Sequence, residues 1–188
     1  ATELLGGLPA RPPGFCVGCP ERPVFSAMKV LEKDTGASHL SADIGCHLFS
    51  TLPPFNIGNT VLGYGLGLAS NSAVNPMFGK RTMTVMGDGG FWHNGLTSGI
   101  ANTVFNKNDG ILVIMKDGYS SATGTQELPS SPQHSETHAP DMSMERALAG
   151  IGVGWVKTVD NYRVGAVAEA IKEAMSTDYA GLKVVIAQ

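Results

Sequence analysis

The sequence predicts an α/β protein in which a parallel β-sheet is covered by helices on both faces. Short apolar runs at residues 82–86, 111–115 and 182–187 have the length of strands. Segments with the spacing and end signals of helices separate them, and glycine-rich or polar turns mark the junctions. Because strands that alternate with helices form parallel sheets buried on both faces, we expect three layers.

The elements follow in chain order. Residues 1–14 are rich in Gly and Pro and predict an extended arm, and Pro23 suits the first turn of a helix. Small residues at Gly63, Gly65 and Gly67 indicate a helix that packs closely against a neighbour. Strands are predicted at residues 39–44, 82–86, 111–115, 152–159 and 182–187, and helices at residues 22–33, 60–75, 93–106, 141–149 and 161–175.

Residues 117–140 predict a long polar loop. The segment is rich in Ser, Thr, Gly and Pro, and Asp141 is expected to cap the helix that follows it. A loop of this length without secondary structure is uncommon in a compact domain and is usually functional.

Length, charge and cysteine content limit the class of protein. With 188 residues, 43% of them hydrophobic, the chain can fill one sizeable core, so one domain (residues 1–188) is expected. The net charge of −3 without a basic run excludes a nucleic-acid footprint, and no apolar stretch approaches the roughly 20 residues of a membrane span. Three cysteines and no features of a signal peptide favour a reducing, cytoplasmic location. Because the chain starts without Met, we expect it to be part of a longer protein.

The turn after residues 82–86 predicts an anion site with a metal ion. Gly87, Asp88, Gly89 and Gly90 stand where a strand ends and a helix begins, and such a turn offers backbone N–H groups and the positive end of a helix. Asp117 follows the next apolar run. Parallel strands that lie side by side would bring Asp88 and Asp117 together at the carboxyl edge of the sheet, where such folds bind ligands. We therefore predict a diphosphate held through Mg²⁺.

These motifs resemble those of a known family. Gly87-Asp88-Gly89, with Asp117 at the end, resembles the thiamine diphosphate signature, which starts with GDG and ends in Asn. Thr123, Gly124 and Gln126 resemble the T-G-x-Q turn of the 2-oxoacid:ferredoxin oxidoreductases. The segments GDGGFWHNG, NTVFNK, CVGCPERP, DIGC and LPP are most similar to those of the indolepyruvate ferredoxin oxidoreductases. The similarity runs from Cys16 to Ala187 and implies the thiamine diphosphate-binding fold.

The resemblance also implies a set of ligands. Asp88, Asp117 and the backbone carbonyl of Tyr119 would hold Mg²⁺, which prefers a few protein oxygens together with phosphate and water. The diphosphate itself would be contacted at two turns, by Gly87, Gly89, Gly90 and Phe91 in the first and by Thr123 and Gly124 in the second. Asp117 departs from the Asn of the family. Its extra negative charge would strengthen metal binding and would also face the diphosphate across the ion.

The cysteines form a second candidate site. Cys16, Cys19 and Cys46 resemble three ligands of a 4Fe–4S cluster in the smaller relatives, and such a cluster normally takes four thiolates. Three possibilities remain open: a cluster completed from outside this chain, free thiols that line the cofactor pocket, or a zinc site. The catalytic residues are not identified. His93 and His47 are candidates, although a surface or capping role explains His93 better and a similar balance holds for His47.

The activity that the resemblance implies is the oxidative decarboxylation of a 2-oxoacid with coenzyme A, with electrons passing to ferredoxin. The residue that activates the cofactor would lie on a separate pyrimidine-binding domain or subunit, so we expect this chain alone to be catalytically incomplete. The enzyme is expected to be a homodimer. Two alternatives stay open: a domain of a non-oxidative thiamine-dependent decarboxylase or synthase, and a relative without catalytic activity.

Overall fold

A six-stranded parallel sheet forms the centre of the molecule. The structure, a computed structural model, describes residues 6–7, 12–131 and 142–188. Most of the predicted arm, residues 132–140 of the predicted loop and Asp141 therefore lie outside the described residues. The strands of the sheet are β1 (Leu40–Ala42), β2 (Thr60–Val61), β3 (Met83–Gly87), β4 (Ile111–Met115), β7 (Trp155–Val159) and β8 (Lys183–Ala187), in the spatial order β2-β1-β3-β4-β8-β7.

Helices cover both faces of this sheet, as the sequence predicts. Side chains of β4 alternate between the two faces: Val113 packs with one core and Ile114 with the other. Helices α1 (Glu21–Thr35) and α5 (Val164–Ser176) bury their apolar sides in the first core. Helices α2 (Gly67–Val74), α3 (residues 88–105) and α4 (Met144–Ile151) close the second. The three-layer α/β prediction is confirmed.

Helix α3 starts earlier than the sequence indicates. It begins directly after β3 and runs without a break through α-helical Asp88–Gly90, π-helical Phe91–Ala101 and α-helical Asn102–Phe105. The prediction placed its start near His93. Because no loop separates the strand from the helix, the first residues of α3 lie at the carboxyl edge of the sheet.

Other boundaries also differ from the predictions. Residues 60–75 are not one helix: Thr60–Val61 pairs with β1, and α2 starts only at Gly67 because Gly65 has a positive φ of 80°. Helix α4 is capped by Ser143, whose hydroxyl accepts the Arg146 N–H at 3.2 Å, and not by Asp141. Part of the predicted loop is a hairpin of β5 (Tyr119–Ser120) and β6 (Gln126–Glu127).

A group of charged side chains ties the amino edge of the sheet to α5. Arg81 binds both carboxylate oxygens of Asp109 through Nε, each at 3.1 Å, and Lys183 is the second cation on Asp109. The guanidinium also donates to four backbone carbonyls at and after the end of α5, those of Ala174, Met175, Thr177 and Tyr179. The last carbonyl groups of a helix have no hydrogen-bond donor within the helix, and the Arg81 guanidinium provides donors for them at the end of α5.

Replacing Arg81 with Lys is expected to lower the free energy of unfolding by about 1–3 kcal/mol, because an ammonium group cannot reproduce the planar fork that serves carboxylate and carbonyls together. Denaturant unfolding would measure the change. Arg163 is an exposed arginine on which no side-chain hydrogen bond is found in the described ranges, so Arg163→Lys is the control and should be neutral. Equal effects of the two substitutions would contradict this role of Arg81.

Candidate functional site

Three strands of the sheet end in aspartates at one edge. Asp43 follows β1, Asp88 follows β3, and Asp117 comes two residues after β4. The register pairs Ala42 with Val85 and Gly87 with Met115, so these strands end beside one another. Asp88 and Asp117 therefore lie close together at the carboxyl edge of the sheet, as predicted.

Asp88 links the two predicted turns. Its Oδ1 accepts the N–H of Gly89 at 2.9 Å, and its Oδ2 accepts the N–H of Gly118 at 2.7 Å. The side chain is buried, with 1% of the residue exposed. Hydrogen bonds to both oxygens fix the carboxylate between the start of α3 and the turn after β4.

The two carboxylates are close enough to influence each other. Burial, followed by the negative charge of Asp117 and a hydrogen bond with it, raises the pKa of Asp88 to about 7. The pKa is held down in part by the N–H groups of Gly118 and Gly89. A cation between the two carboxylates would remove the repulsion that adds to the effect of burial on this pKa.

Asp117 and the carbonyl of Tyr119 converge on one hydroxyl group. Asp117 accepts the Tyr119 N–H through Oδ1 at 3.2 Å and the Ser121 hydroxyl through Oδ2 at 2.5 Å. The same hydroxyl lies 3.4 Å from the Tyr119 carbonyl oxygen. The structure thus brings two of the three predicted metal ligands to a common point, with Asp88 beside them.

The glycines of the first turn allow the close packing of its neighbours. A Cβ on Gly89 would overlap the hydroxyls of Tyr64 and Ser120, and a Cβ on Gly90 would overlap Asp43 Oδ2. Two of the four first-turn residues expected to contact a diphosphate use their N–H groups locally, since Gly89 donates to Asp88 Oδ1 and Phe91 to the Asp88 carbonyl. The Phe91 side chain is fully buried in the second core.

The second turn is held by its own polar side chains. The Thr123 hydroxyl donates to Gln126 Oε1 at 2.7 Å, and the Gln126 amide donates to the Thr123 carbonyl at 2.8 Å. Gly124 has a φ of 121°, which favours glycine. The T-G-x-Q pattern therefore forms a turn that is stabilised by hydrogen bonds between its own residues.

A cavity of about 200 Å³ lies between these turns. It contains Asp88, Asp117, Tyr119 and Thr123, as well as residues that the sequence did not single out. Those additional lining residues are Glu21, Ile44, Gly45, Tyr64, Met115, Ser120, Ser121 and Ala122. Gly124 is not among the lining residues.

Asp43 is a polar residue of this region that the sequence argument missed. It is fully buried, and its Oδ1 accepts the N–H groups of Gly65 at 2.6 Å and Ile44 at 2.7 Å. Burial raises its pKa. Asp43 falls inside the predicted strand 39–44, and only the observed end of β1 at Ala42 shows that it follows a strand as Asp88 does.

The two candidate histidines lie in different places. His47 is buried and lines the cavity, with its Nδ1 3.6 Å from Glu21 Oε1. His93 is exposed, stacks on Tyr64 with ring centroids 5.0 Å apart, and is not among the residues that line the cavity. His93 thus lies at the surface, as expected for a residue without a catalytic role.

The three cysteines are free thiols, and Cys46 is the one among them that lines the cavity. The Cys19 N–H donates to the Cys16 carbonyl at 3.3 Å, and the Tyr162 hydroxyl holds the intervening loop through the Gly18 carbonyl. Burial raises the pKa of Cys46 to about 11, with smaller contributions from Glu21 and the other cysteines. In residues 6–7, 12–131 and 142–188, no three His, Cys, Asp or Glu side chains are placed to hold a metal ion together.

Comparison with known proteins defines the class. Residues 43–187 match the model of the thiamine pyrophosphate enzyme C-terminal TPP binding domain, and the chain belongs to this family. The matched range begins at Asp43 and includes both predicted turns, while Cys16 and Cys19 precede it.

Curated relatives support the branch that the motifs indicate. The chain is 28% identical over 186 residues to indolepyruvate oxidoreductase subunit IorA of Methanothermobacter thermautotrophicus, covering 96% of this chain and 30% of that protein. The subunit IorA of Thermococcus kodakarensis is 29% identical, with 96% and 29% covered. This confirms the resemblance stated from the sequence. The chain spans about 30% of the length of these relatives.

Solved structures share the fold. The 2-oxoglutarate:ferredoxin oxidoreductase from Magnetococcus marinus, solved with 2-oxoglutarate, coenzyme A and succinyl-CoA, superimposes with a TM-score of 0.79 at 17% identity, over 95% of this chain and 64% of that one. Benzoylformate decarboxylase from Polynucleobacter necessarius gives a TM-score of 0.54 at 20% identity, over 86% of this chain and 32% of that one. In the part of the chain that the structure describes, no helix is both long and apolar enough to span a bilayer.

Proposed function

We propose that this chain anchors the diphosphate of thiamine diphosphate through Mg²⁺ in a 2-oxoacid:ferredoxin oxidoreductase. The observation that carries the proposal is the pair of carboxylates, Asp88 and Asp117, placed side by side where β3 and β4 end. Their hydrogen bonds join the glycine turn at the start of α3 to the turn that contains Tyr119.

The donors present are suited to the metal. Two carboxylates and the Tyr119 carbonyl are hard oxygen ligands, and Mg²⁺ commonly takes one or two carboxylates with phosphate oxygens and water. Burial and then the neighbouring charge of Asp117 raise the pKa of Asp88, and a divalent cation would offset the two negative charges. Asp117, where the family has Asn, adds negative charge that would strengthen metal binding and would also face the diphosphate across the ion.

The chain's own residues bind and orient the cofactor. Asp88, Asp117 and the Tyr119 carbonyl would hold the metal. Gly87, Gly89 and Gly90 would form the first side of the diphosphate site and Thr123 the second, since these residues line the cavity whereas Phe91 and Gly124 do not. The bound cofactor would supply the chemistry that removes CO₂ from the substrate, while the protein supplies position and charge.

The complete reaction would need further domains. By analogy with the relatives named above, the substrate class is 2-oxoacids of the indolepyruvate or other arylpyruvate type, with coenzyme A as acceptor and ferredoxin as electron partner. A pyrimidine-binding domain or subunit would complete the active site of a cytoplasmic homodimer, so this chain alone would be catalytically incomplete. The likeness to benzoylformate decarboxylase shows the fold alone and does not favour the non-oxidative alternative.

Cys16, Cys19 and Cys46 are not arranged as a metal site among the described residues, so a 4Fe–4S cluster would require the three thiols to move together and a fourth ligand from elsewhere; free thiols at the cofactor pocket and a zinc site are the alternatives. Loss of a thiol proton on binding iron would overcome the raised pKa of Cys46, since a bound metal deprotonates its thiol ligand. Iron and sulfide analysis of the complete enzyme, prepared without oxygen, tests this part separately. Iron-free protein with full thiamine diphosphate binding would contradict it.

The central proposal is tested by calorimetric titration of the complete protein with thiamine diphosphate in Mg²⁺ and in EDTA. We expect saturable binding of one cofactor per site in Mg²⁺ and at least about tenfold weaker binding in EDTA, because diphosphate and carboxylates repel without the cation. Absence of binding in Mg²⁺ would show a relative without cofactor function.

The Mg²⁺ affinity should increase with pH through about 7. A metal ion competes with the proton that burial and Asp117 hold on Asp88, so the apparent affinity rises about tenfold between pH 6 and pH 8 and then levels off. Without metal the sign is opposite: the native state holds this proton more tightly than the unfolded state, so its contribution to stability declines as pH rises from about 4 to about 7.

Mg²⁺ titrations at several pH values measure the first effect, and thermal unfolding in EDTA measures the second. Asp117→Asn serves as the comparison, since removing the neighbouring charge should move the midpoint of the pH dependence downward. A Mg²⁺ affinity that stays constant from pH 6 to pH 8 would exclude the protonation of Asp88.

A further inference from the structure

His47 is a buried polar side chain at the cavity that the contacts described so far do not explain. Only 2% of the residue is exposed, and neither ring nitrogen has a hydrogen-bond partner within the described ranges. Buried polar groups are nearly always paired, because an unpaired one loses its hydration without compensation. Since the ring lines the cavity, a ligand in the cavity is the partner that could satisfy it.

Glu21 lies beside one ring nitrogen of His47, and the other nitrogen has no hydrogen-bond partner among the described residues. Nδ1 lies 3.6 Å from Oε1 of Glu21, which is itself buried and has Oε2 without a hydrogen-bond partner among described residues. Cε1 faces Gly45 and Gly87, and a Cβ on Gly87 would lie 3.6 Å from it. The imidazole therefore stands next to the residue that precedes Asp88. With Nδ1 on the side of Glu21, Nε2 is the nitrogen left for another partner.

The charge of the cavity explains why a donor is needed there. Three carboxylates, those of Glu21, Asp88 and Asp117, line it, and no Lys or Arg belongs to the described residues in its wall. A metal ion between Asp88 and Asp117 would offset those two charges. A diphosphate brings additional negative charge, and His47 is the one basic side chain among the described lining residues that could meet it.

We propose that His47 is a cofactor-binding residue that donates a hydrogen bond from its free ring nitrogen to the diphosphate, with Glu21 orienting the ring from the Nδ1 side. The inference rests on the proposed function, and it adds a side-chain donor to a site otherwise made of backbone and metal. A neutral imidazole carries one N–H and is sufficient.

The test compares thiamine diphosphate with thiamine monophosphate, each titrated calorimetrically in Mg²⁺ into the complete protein. His47→Leu removes both nitrogens at similar volume and should raise the Kd for the diphosphate about 10- to 100-fold, the usual effect of losing a hydrogen bond to a charged group. The Kd for the monophosphate should change less, so the preference for the diphosphate should shrink. His47→Gln keeps an N–H group, so its Kd for the diphosphate should lie between those of the wild-type protein and His47→Leu.

His39→Gln is the matched control. His39 precedes β1 at the opposite edge of the sheet and contacts Ser41 and Phe78, so its substitution should leave both Kd values unchanged. Thermal unfolding without cofactor shows whether each variant folds, and if His47→Leu does not fold, His47→Gln must show the weaker binding and the smaller preference.

Three results would overturn the inference. Equal weakening for diphosphate and monophosphate would indicate a structural role for His47. An unchanged Kd with a raised KM for the 2-oxoacid would assign His47 to the carboxylate of the substrate. Failure of the wild-type protein to bind either compound would contradict the proposed function itself. This outcome is distinguishable from a failure of the His47 inference, because it is seen in the wild-type protein before any variant is compared.

Discussion

Replacing Asp88 with Asn is expected to weaken Mg²⁺-dependent binding of thiamine diphosphate at least about a hundredfold, which corresponds to about 2.7 kcal/mol. The carboxylate has two functions at this position. It would be a charged ligand of the metal, and it accepts the Gly89 and Gly118 N–H groups with its two oxygens. An amide has one oxygen and turns its NH₂ group toward one of these donors, so both the charge and one hydrogen bond are lost.

Asp117→Asn is the matched control for Asp88→Asn, since it is the same chemical change at the neighbouring carboxylate. It restores the residue that the family has, so the Kd should change by no more than about threefold. Calorimetric titration in Mg²⁺ measures both variants, and unfolding of the cofactor-free proteins checks that both fold. A loss in Asp117→Asn as large as that in Asp88→Asn would show that the two carboxylates contribute equally and that the assignment of Asp88 as the principal ligand is wrong.

Replacing Gly65 with Ala is expected to cost about 3 kcal/mol or more in the free energy of unfolding. Its φ of 80° is strained for any residue with a Cβ, at about 1–2 kcal/mol. The added Cβ would also lie 2.7 Å from the backbone nitrogen of Gly95 and 2.8 Å from the carbonyl oxygen of Gly90. These are backbone atoms of α3 that cannot rotate away, so the overlap adds about 1–3 kcal/mol.

Gly63→Ala provides the comparison for Gly65→Ala. At Gly63 the new Cβ would meet Cδ1 of Leu66 at 2.9 Å, the far end of a flexible side chain, so the substitution should cost less than about 1 kcal/mol. Denaturant unfolding measures both proteins. Because Gly65 packs on the first turns of α3, its substitution should also weaken cofactor binding. A Gly65→Ala protein as stable as Gly63→Ala would refute the close approach of these backbones.

The family and the pairing of Asp88 with Asp117 were accessible from the sequence because they depend on local chemistry. The strand-to-turn junctions at Gly87-Asp88-Gly89 and at Asp117 are short, and a parallel sheet brings such junctions together whatever the rest of the chain does. The T-G-x-Q turn likewise closes on itself through Thr123 and Gln126. The geometry of such patterns depends on a few neighbouring residues, so they can be recognised from the sequence.

Boundaries that depend on distant partners were predicted less well. The helix expected over residues 60–75 gave way to strand β2, because pairing with β1 and the positive φ of Gly65 outweigh a local tendency of small residues to form a helix. The start of α3 was placed too late, because the glycines that suggest an open turn are helical here, where Tyr64, Ser120 and Asp43 leave no room for a Cβ.

The sequence by itself determined the fold class, the positions of Asp88 and Asp117 at strand ends, and the thiamine diphosphate family. Only the tertiary structure decided which other polar groups share the site. Glu21 stands at the start of α1, His47 lies in the short 3₁₀-helix Cys46–Thr51, and Ser121 follows β5, so nothing local connects them. They meet because β1, β3 and β4 end at one edge of the sheet, and a cavity that joins separate segments exists only after those segments have packed.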